Sequence, residues 1–329
     1  MKSIAFFNNK GGVGKTTLVY HLASMFSDLG VRVIAADYDP QANLTAMCLD
    51  EDRLAAIEND EIDTIYDVAS PLIAEGKNVP PKILEIDDNF GLIAGDLDLS
   101  GVEDSLSSAW GESLGGSNLT KRRAFQDTTF LARAVETAGR EFQAVIALID
   151  IGPNLGAINR SALIGADYVV VPVAPDLFSL KGLTNVGRGI QEWRDGWKKR
   201  IDDYPTPETP WPNGKLEPLG YVISRFSTYA GEHARYFRRW IDRVPTLFHR
   251  DILRQSNGTA LTVENDPAKL AWLKDYRSLM PMAQEVRKPI FKLRPADGAI
   301  GGHQQAVGDA YDDFEQLAKL IASKVGISI

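Results

Sequence analysis

The 329-residue chain holds one cysteine, Cys48, and four histidines. A lone thiol excludes an intrachain disulfide framework, a thiolate zinc site and an iron–sulfur cluster held by a single chain. A reducing cytoplasm is the compartment expected from it. No stretch approaches the ~18 uncharged apolar residues that a membrane-spanning helix needs. Met1-Lys2-Ser3 leads into a short apolar run and then a glycine-rich loop rather than into a cleavable signal. Positive charge is also not in excess: 36 Lys+Arg stand against 44 Asp+Glu, a net −8. That balance argues against a protein that coats nucleic acid over its whole surface.

The charge is unevenly spread. Residues 1–150 hold 12 Lys+Arg against 24 Asp+Glu, whereas residues 151–329 hold 24 against 20. A local basic face on the C-terminal half therefore remains open. With 44% hydrophobic and 24% charged residues, the composition is that of a globular chain with a sizeable core.

Short apolar runs punctuate the sequence at residues 3–7, 31–36, 90–93, 145–149, 168–171 and 219–223. Most are continuous rather than alternating, as expected of strands buried on both faces of a parallel sheet. Helical spacing lies between them; Leu18, Leu22, Met25, Phe26 and Leu29 are one example, with Gly30 as the expected stop. The expected class is α/β: a doubly wound, mostly parallel sheet flanked by helices, formed as one domain over 1–329. Ser107 to Asn118, rich in Ser and Gly, and Tyr204 to Pro218, with five prolines, read as surface loops.

The strongest chemical signal is Lys10-Gly11-Gly12-Val13-Gly14-Lys15-Thr16-Thr17, set between the first expected strand and the first expected helix. Glycines let backbone N–H groups converge on phosphate oxygens, and the helix N-terminus adds its positive dipole end. Lys15 is placed to reach the β- and γ-phosphates and the Thr16 hydroxyl to bind Mg²⁺. The generic pattern wants Gly at position 9, where this chain has Asn9. Asp150 closes an apolar strand, an arrangement in which a carboxylate holds a water on Mg²⁺. Gly152-Pro153 then opens a candidate switch loop that senses the γ-phosphate.

The extra lysine at the loop's start, Lys10, resembles the signature of the deviant Walker A P-loop ATPases, the group of ParA, MinD and the nitrogenase iron protein. The stretches Asp37 to Thr45, Leu92 to Ser100, Asp150 to Gly156, Tyr168 to Leu183, Lys288 to Phe291 and the last helix are similar to the ParA (Soj-like) branch. Segments 101–140 and 194–285 match it least and read as insertions.

The resemblance implies a P-loop ATPase fold and an ATP/ADP site with Mg²⁺. It also implies an ATP-dependent homodimer in which Lys10 crosses to the partner's nucleotide. Asp39 would orient the attacking water and contact the metal shell, while Asp37 either supports that site or pairs with a lysine. Ser224 and Arg225, after the strand 219–223, are candidates for reading the base. Relatives of this kind bind DNA non-specifically through basic residues near the C-terminus. Here Arg235, Arg238, Arg239 and Arg243 fall about one turn apart on an expected helix. The implied function is a slow ATPase that positions DNA or another large cargo, with a ParB-like or other partner stimulating hydrolysis. Such a protein would be cytoplasmic, on the nucleoid where it binds DNA. Two alternatives are a regulatory scaffold subunit of a multi-protein complex and a MinD-like membrane-associated ATPase. The second is disfavoured because the last helix, with Tyr311, Phe314, Leu317, Leu320, Ile321 and Val325, lacks a distinctly basic polar face.

Overall fold

The structure, a computed structural model, describes residues 1–204, 211–226, 238–255, 261–276 and 278–329, with the side chains of Arg225 and Phe226 outside that description. Eight strands form one sheet: β1 (Lys2–Phe6), β2 (Val33–Asp37), β3 (Leu84–Asp87), β4 (Phe90–Ile93), β5 (Ile146–Asp150), β6 (Tyr168–Val173), β7 (Glu217–Phe226) and β8 (Lys269–Lys274). Their order is β3-β4-β2-β5-β1-β6-β7-β8. All neighbours pair parallel except β3, which runs antiparallel to β4.

Strand alternation decides which layer each side chain joins. Ile4 and Phe6 of β1, Val33 and Ala35 of β2, and Ile146 and Leu148 of β5 pack on one face with α1 (Lys15–Asp28) and the C-terminal helix Gly302–Val325. Ala5, Ile34, Ala36, Ala147 and Ile149 face the other layer. That layer holds α4 (Ile65–Glu75), α5 (Glu103–Glu112), α7 (Phe130–Glu141), α8 (Ala157–Gly165) and α9 (Leu177–Asp203). Short helices α2 (Asn43–Cys48) and α3 (Glu51–Glu58) follow β2, and α6 (Asn118–Thr128) lies between α5 and α7. Strands are apolar on both sides because both faces are covered, as the sequence pattern indicates.

The chain runs from β1 outward to β2 and β4 on one side, and later through β6 to β7 and β8 on the other. The reversal occurs around β1 and β5, so the crevice for a ligand opens at their carboxyl ends. Adjacent registers set Phe6 beside Asp150 and Asp37 beside Asp150 at that edge.

Two sequence expectations are corrected. Ser107 to Glu112 is the second half of α5, not loop; turn and bend occupy 113–116 before α6 begins at Asn118. Trp110 holds that half in place by stacking on Trp197 at 6.1 Å, with the Arg200 guanidinium 3.6 Å from its ring centroid. Such contacts override the weak helix propensity of Ser and Gly. Strands β3 and β8 are additions to the expected set. Both are edge strands, where polar and charged residues such as Glu85, Lys269 and Lys274 interrupt the apolar run. Segment 194–285 contains β7 and β8, and segment 101–140 contains α5, α6 and most of α7. In the C-terminal helix, Phe314, Leu317, Ile321 and Val325 are buried, packed in the layer shared with α1.

Candidate nucleotide site

The loop Lys10 to Gly14 joins β1 to α1 at the crevice. Gly12 (φ 73°) and Gly14 (φ 86°) adopt left-handed conformations that side chains resist, which turns the backbone around the site. Gly14 is the N-cap of α1, and no side chain caps the helix and no acidic residue lies in its first turn. The N-terminal N–H groups thus face the crevice uncompensated, an arrangement that favours an anion. Asn8 fixes the loop's entry: its amide donates to the Pro172 carbonyl at 2.7 Å and its oxygen accepts from the Lys10 N–H at 3.1 Å.

Lys15 is buried, and burial lowers its pKa while Asp150 and Asp39 work to raise it. Asp37 and Asp150 are fully buried. Burial pushes Asp37 up to about 7, against the two hydrogen bonds that Thr45 donates from its N–H and hydroxyl, each 2.8 Å. Burial and the neighbouring Asp37 push Asp150 up to about 8, with Thr16 and Lys15 acting to hold it down. Asp37 thus holds Thr45, and among the described residues it pairs with no lysine. The Thr45 hydroxyl in turn accepts from the Gly95 N–H at 2.7 Å. Asp39, 8% exposed, faces the cavity and accepts from the Gln41 N–H at 3.1 Å.

Both oxygens of Asp150 and Oδ1 of Asp37 are buried without a hydrogen-bond partner. Orphaned carboxylate oxygens at the end of a bare helix N-terminus fit a hydrated divalent cation. Among the described residues no three His, Cys, Asp or Glu converge to hold a metal alone. Mg²⁺ does not need such a cage, since it keeps several waters and takes one or two protein oxygens plus phosphates.

A cavity of about 550 Å³ lies over the loop, lined by Gly11, Gly12, Gly14, Lys15, Thr16 and Thr17 on one side and Asp39 and Gln41 on another. Pro153, in the segment after β5, also lines it. A second cavity of about 400 Å³ shares Gly14, Thr17, Met280 and Gln284 with the first and extends to Ser224, Tyr276 and Phe314. Sequence reasoning missed Gln41, Tyr276, Met280, Gln284 and Arg287; the last four come from the segment after β8, a strand that the sequence pattern conceals. The Ser224 hydroxyl donates to the Val13 carbonyl at 2.6 Å, so it braces the loop as well as lining the second cavity. Arg225 belongs to β7, and its side chain lies outside the described residues.

Lys10 turns onto its own chain: its ammonium pairs with Asp176, the N-cap of α9. Burial works to raise the Asp176 pKa, but Lys10 and the N–H groups of Ser179 and Phe178 hold it below the usual range. Next to Asp176, Leu177 and Phe178 are exposed by 38% and 68%, and Leu155, in the segment after β5, by 41%. The candidate basic face is less uniform than its sequence. Arg238 pairs with Asp242 and Glu264. Arg239 and Arg243 are exposed, with guanidinium carbons 5.3 and 5.7 Å from the Trp240 ring centroid. Arg235 lies outside the described residues.

A glycine-lined loop between a central strand and a bare helix N-terminus, with a buried lysine and two acidic strand ends, defines the P-loop nucleotide-binding class. A family model described as an AAA domain matches residues 1–202. The chromosome partitioning protein ParA of Caulobacter vibrioides is 31% identical over 202 residues, covering 61% of this chain and 67% of that protein. Protein DIP2308 of Corynebacterium diphtheriae superposes with a TM-score of 0.71 at 22% identity, covering 99% of both chains. An ATP complex of McdA from Cyanothece gives 0.61 at 14% identity, over 100% of this chain and 98% of that one. The chain belongs to the ParA/MinD-like family of deviant Walker A P-loop ATPases.

Proposed function

We propose that this chain is an ATP-driven switch of the partition type. ATP fills the two joined cavities, two copies close face to face, and the dimer binds DNA without sequence preference to position DNA or another large cargo. A partner protein then stimulates hydrolysis, and the dimer releases. The observation that carries this reading is the pair Asp37–Asp150, buried with orphaned oxygens beside Lys15 and Thr16. Such a cluster is incomplete until a cation and phosphates meet it. The name of the Caulobacter relative, a chromosome partitioning protein, supports the partition reading.

In this account Lys15 and the loop N–H groups would hold the phosphates, and Thr16 and Asp150 would hold Mg²⁺, which would supply neutralisation of the triphosphate charge. Asp39 orients the attacking water from the cavity wall. The second cavity takes adenine, against Tyr276 and Met280. Closure onto a second copy covers Leu177 and Phe178 and frees Lys10 from Asp176 to reach the partner's nucleotide. The DNA contacts come from Arg239 and Arg243, which carry no ion pair among the described residues, in preference to Arg238.

The test is DNA retention with Mg²⁺ and ATP at several salt concentrations. Arg239→Glu plus Arg243→Glu is expected to weaken binding and to reduce the salt slope by about 2. Unchanged binding would move the DNA surface elsewhere, and ATPase activity unaffected by DNA or partner would reject the partition reading.

A further inference from the structure

The loop between Asp150 and α8 passes directly over Asp39: a Cβ at Gly152 would lie 3.3 Å from Asp39 Oδ1. Two side chains outside the phosphate loop hold this segment. Asn159, on the first turn of α8 and 1% exposed, donates from its amide nitrogen to the carbonyls of Gly152 and Asn154, both at 2.7 Å. Glu103, the first residue of α5, places its carboxylate on the N-terminus of α8, accepting from the N–H groups of Ala157 and, at 3.0 Å, Ile158. Gly156 shows how close this fit is. A Cβ there would come within 2.4 Å of Glu103 Oε1 and 2.9 Å of Asn154 Oδ1. The same two helices meet again where the Arg160 guanidinium of α8 lies 4.5 Å from the Trp110 ring centroid of α5.

We infer that Asn159 and Glu103 are positioning residues of the switch: Asn159 fixes the loop backbone over Asp39, and Glu103 ties that loop to α5. Segment 101–140 thereby gains a role, because α5 would shift with the nucleotide state rather than sit as a passive insertion. A carboxylate accepting from a helix N-terminus also complements the dipole of α8, so any loop movement that rotates α8 changes its contact with Glu103. The inference rests on the nucleotide-switch reading above.

Hydrogen exchange on the full chain, with and without the non-hydrolysable ATP analogue AMPPNP and Mg²⁺, tests it. In wild type the analogue is expected to slow exchange in residues 151–163 and also in 97–112. Glu103→Gln weakens the tie, and Gly156→Ala displaces the carboxylate while its extended backbone (φ −79°, ψ −178°) accepts alanine. Both variants should keep analogue affinity within about twofold and keep the 151–163 response, yet lose the response in 97–112. Asn159→Ala should abolish the 151–163 response at unchanged affinity. Persistence of the 97–112 response in both coupling variants overturns the tie. So does wild type that binds the analogue without any change at 97–112. Failure of wild type to bind the analogue would instead overturn the nucleotide reading and the coupling with it.

Discussion

Replacing Asp150 with Asn should make the ligand-free protein more stable while removing its response to Mg²⁺-nucleotide. Asp150 is fully buried, both its oxygens lack partners, and burial with Asp37 nearby pushes its pKa up to about 8. A carboxyl whose pKa is raised by folding disfavours the folded state as pH climbs from the ordinary value near 4 towards 8. Over that window the unfolded chain sheds a proton that the folded chain retains. Each pH unit is worth about 1.4 kcal/mol, so at pH 7.5 the penalty reaches at most about 5 kcal/mol. A buried, unpaired Asn amide costs about 1–3 kcal/mol of its own. The net gain for Asp150→Asn is therefore at most about 2–4 kcal/mol at pH 7.5, a few degrees in Tm for a chain of this size. At pH 5 the penalty shrinks to under about 2 kcal/mol and the gain should vanish. Thermal unfolding at both pH values, with and without Mg²⁺ and AMPPNP, reads all of this. A variant less stable than wild type at pH 7.5, or one still stabilised by the analogue through Mg²⁺, would refute the reasoning. The same shift predicts that Mg²⁺-nucleotide binding to wild type releases protons and tightens as pH rises towards 8, measurable by calorimetry in buffers of different ionisation enthalpy.

Other expectations follow from single residues. Burial pushes His21 down to about 4, and its ring accepts the Ile290 N–H at 3.1 Å while bonding the Thr17 carbonyl at 2.7 Å. Its contribution is fully present above about pH 6.5 and is lost as pH falls towards 4, by roughly 3 kcal/mol. Urea denaturation from pH 7 to 4.5 should show this loss, and His21→Gln should flatten it; an unchanged slope would refute it. Ala42 caps α2 at φ 49°, a left-handed conformation in which glycine carries no side-chain penalty. Ala42→Gly should raise the urea midpoint, by about 0.5–1 kcal/mol in stability, and a lowered midpoint would contradict the strain. Lys15→Ala should abolish retention of labelled ATP while leaving far-ultraviolet circular dichroism unchanged, and retained binding would contradict its phosphate role.

The core of the site was legible because its chemistry is local. Strand, glycine loop, Lys15-Thr16 and helix run consecutively, Asp150 ends the apolar strand β5, and Asp39 follows two residues after the end of β2. What stayed hidden depends on distant partners. Lys10 and Asp176 are 166 residues apart, and Arg238 meets Glu264 only in the fold. Asn159 binds backbone carbonyls that no residue type announces. Trp110 turns an apparent Ser/Gly loop into helix through Arg160 and Arg200 on other elements. Edge strands β3 and β8 escaped because solvent on one side replaces the continuous apolar run with charges. With β8 went the wall of the second cavity.

The central claim is that a triphosphate brings two copies of this chain together at the edge marked by Lys10 and Phe178. Sedimentation velocity of the purified protein with Mg²⁺ and AMPPNP, and separately with Mg²⁺ and ADP, measures it directly. A dimer with the analogue and a monomer with ADP is the predicted result; a monomer under saturating analogue would contradict it.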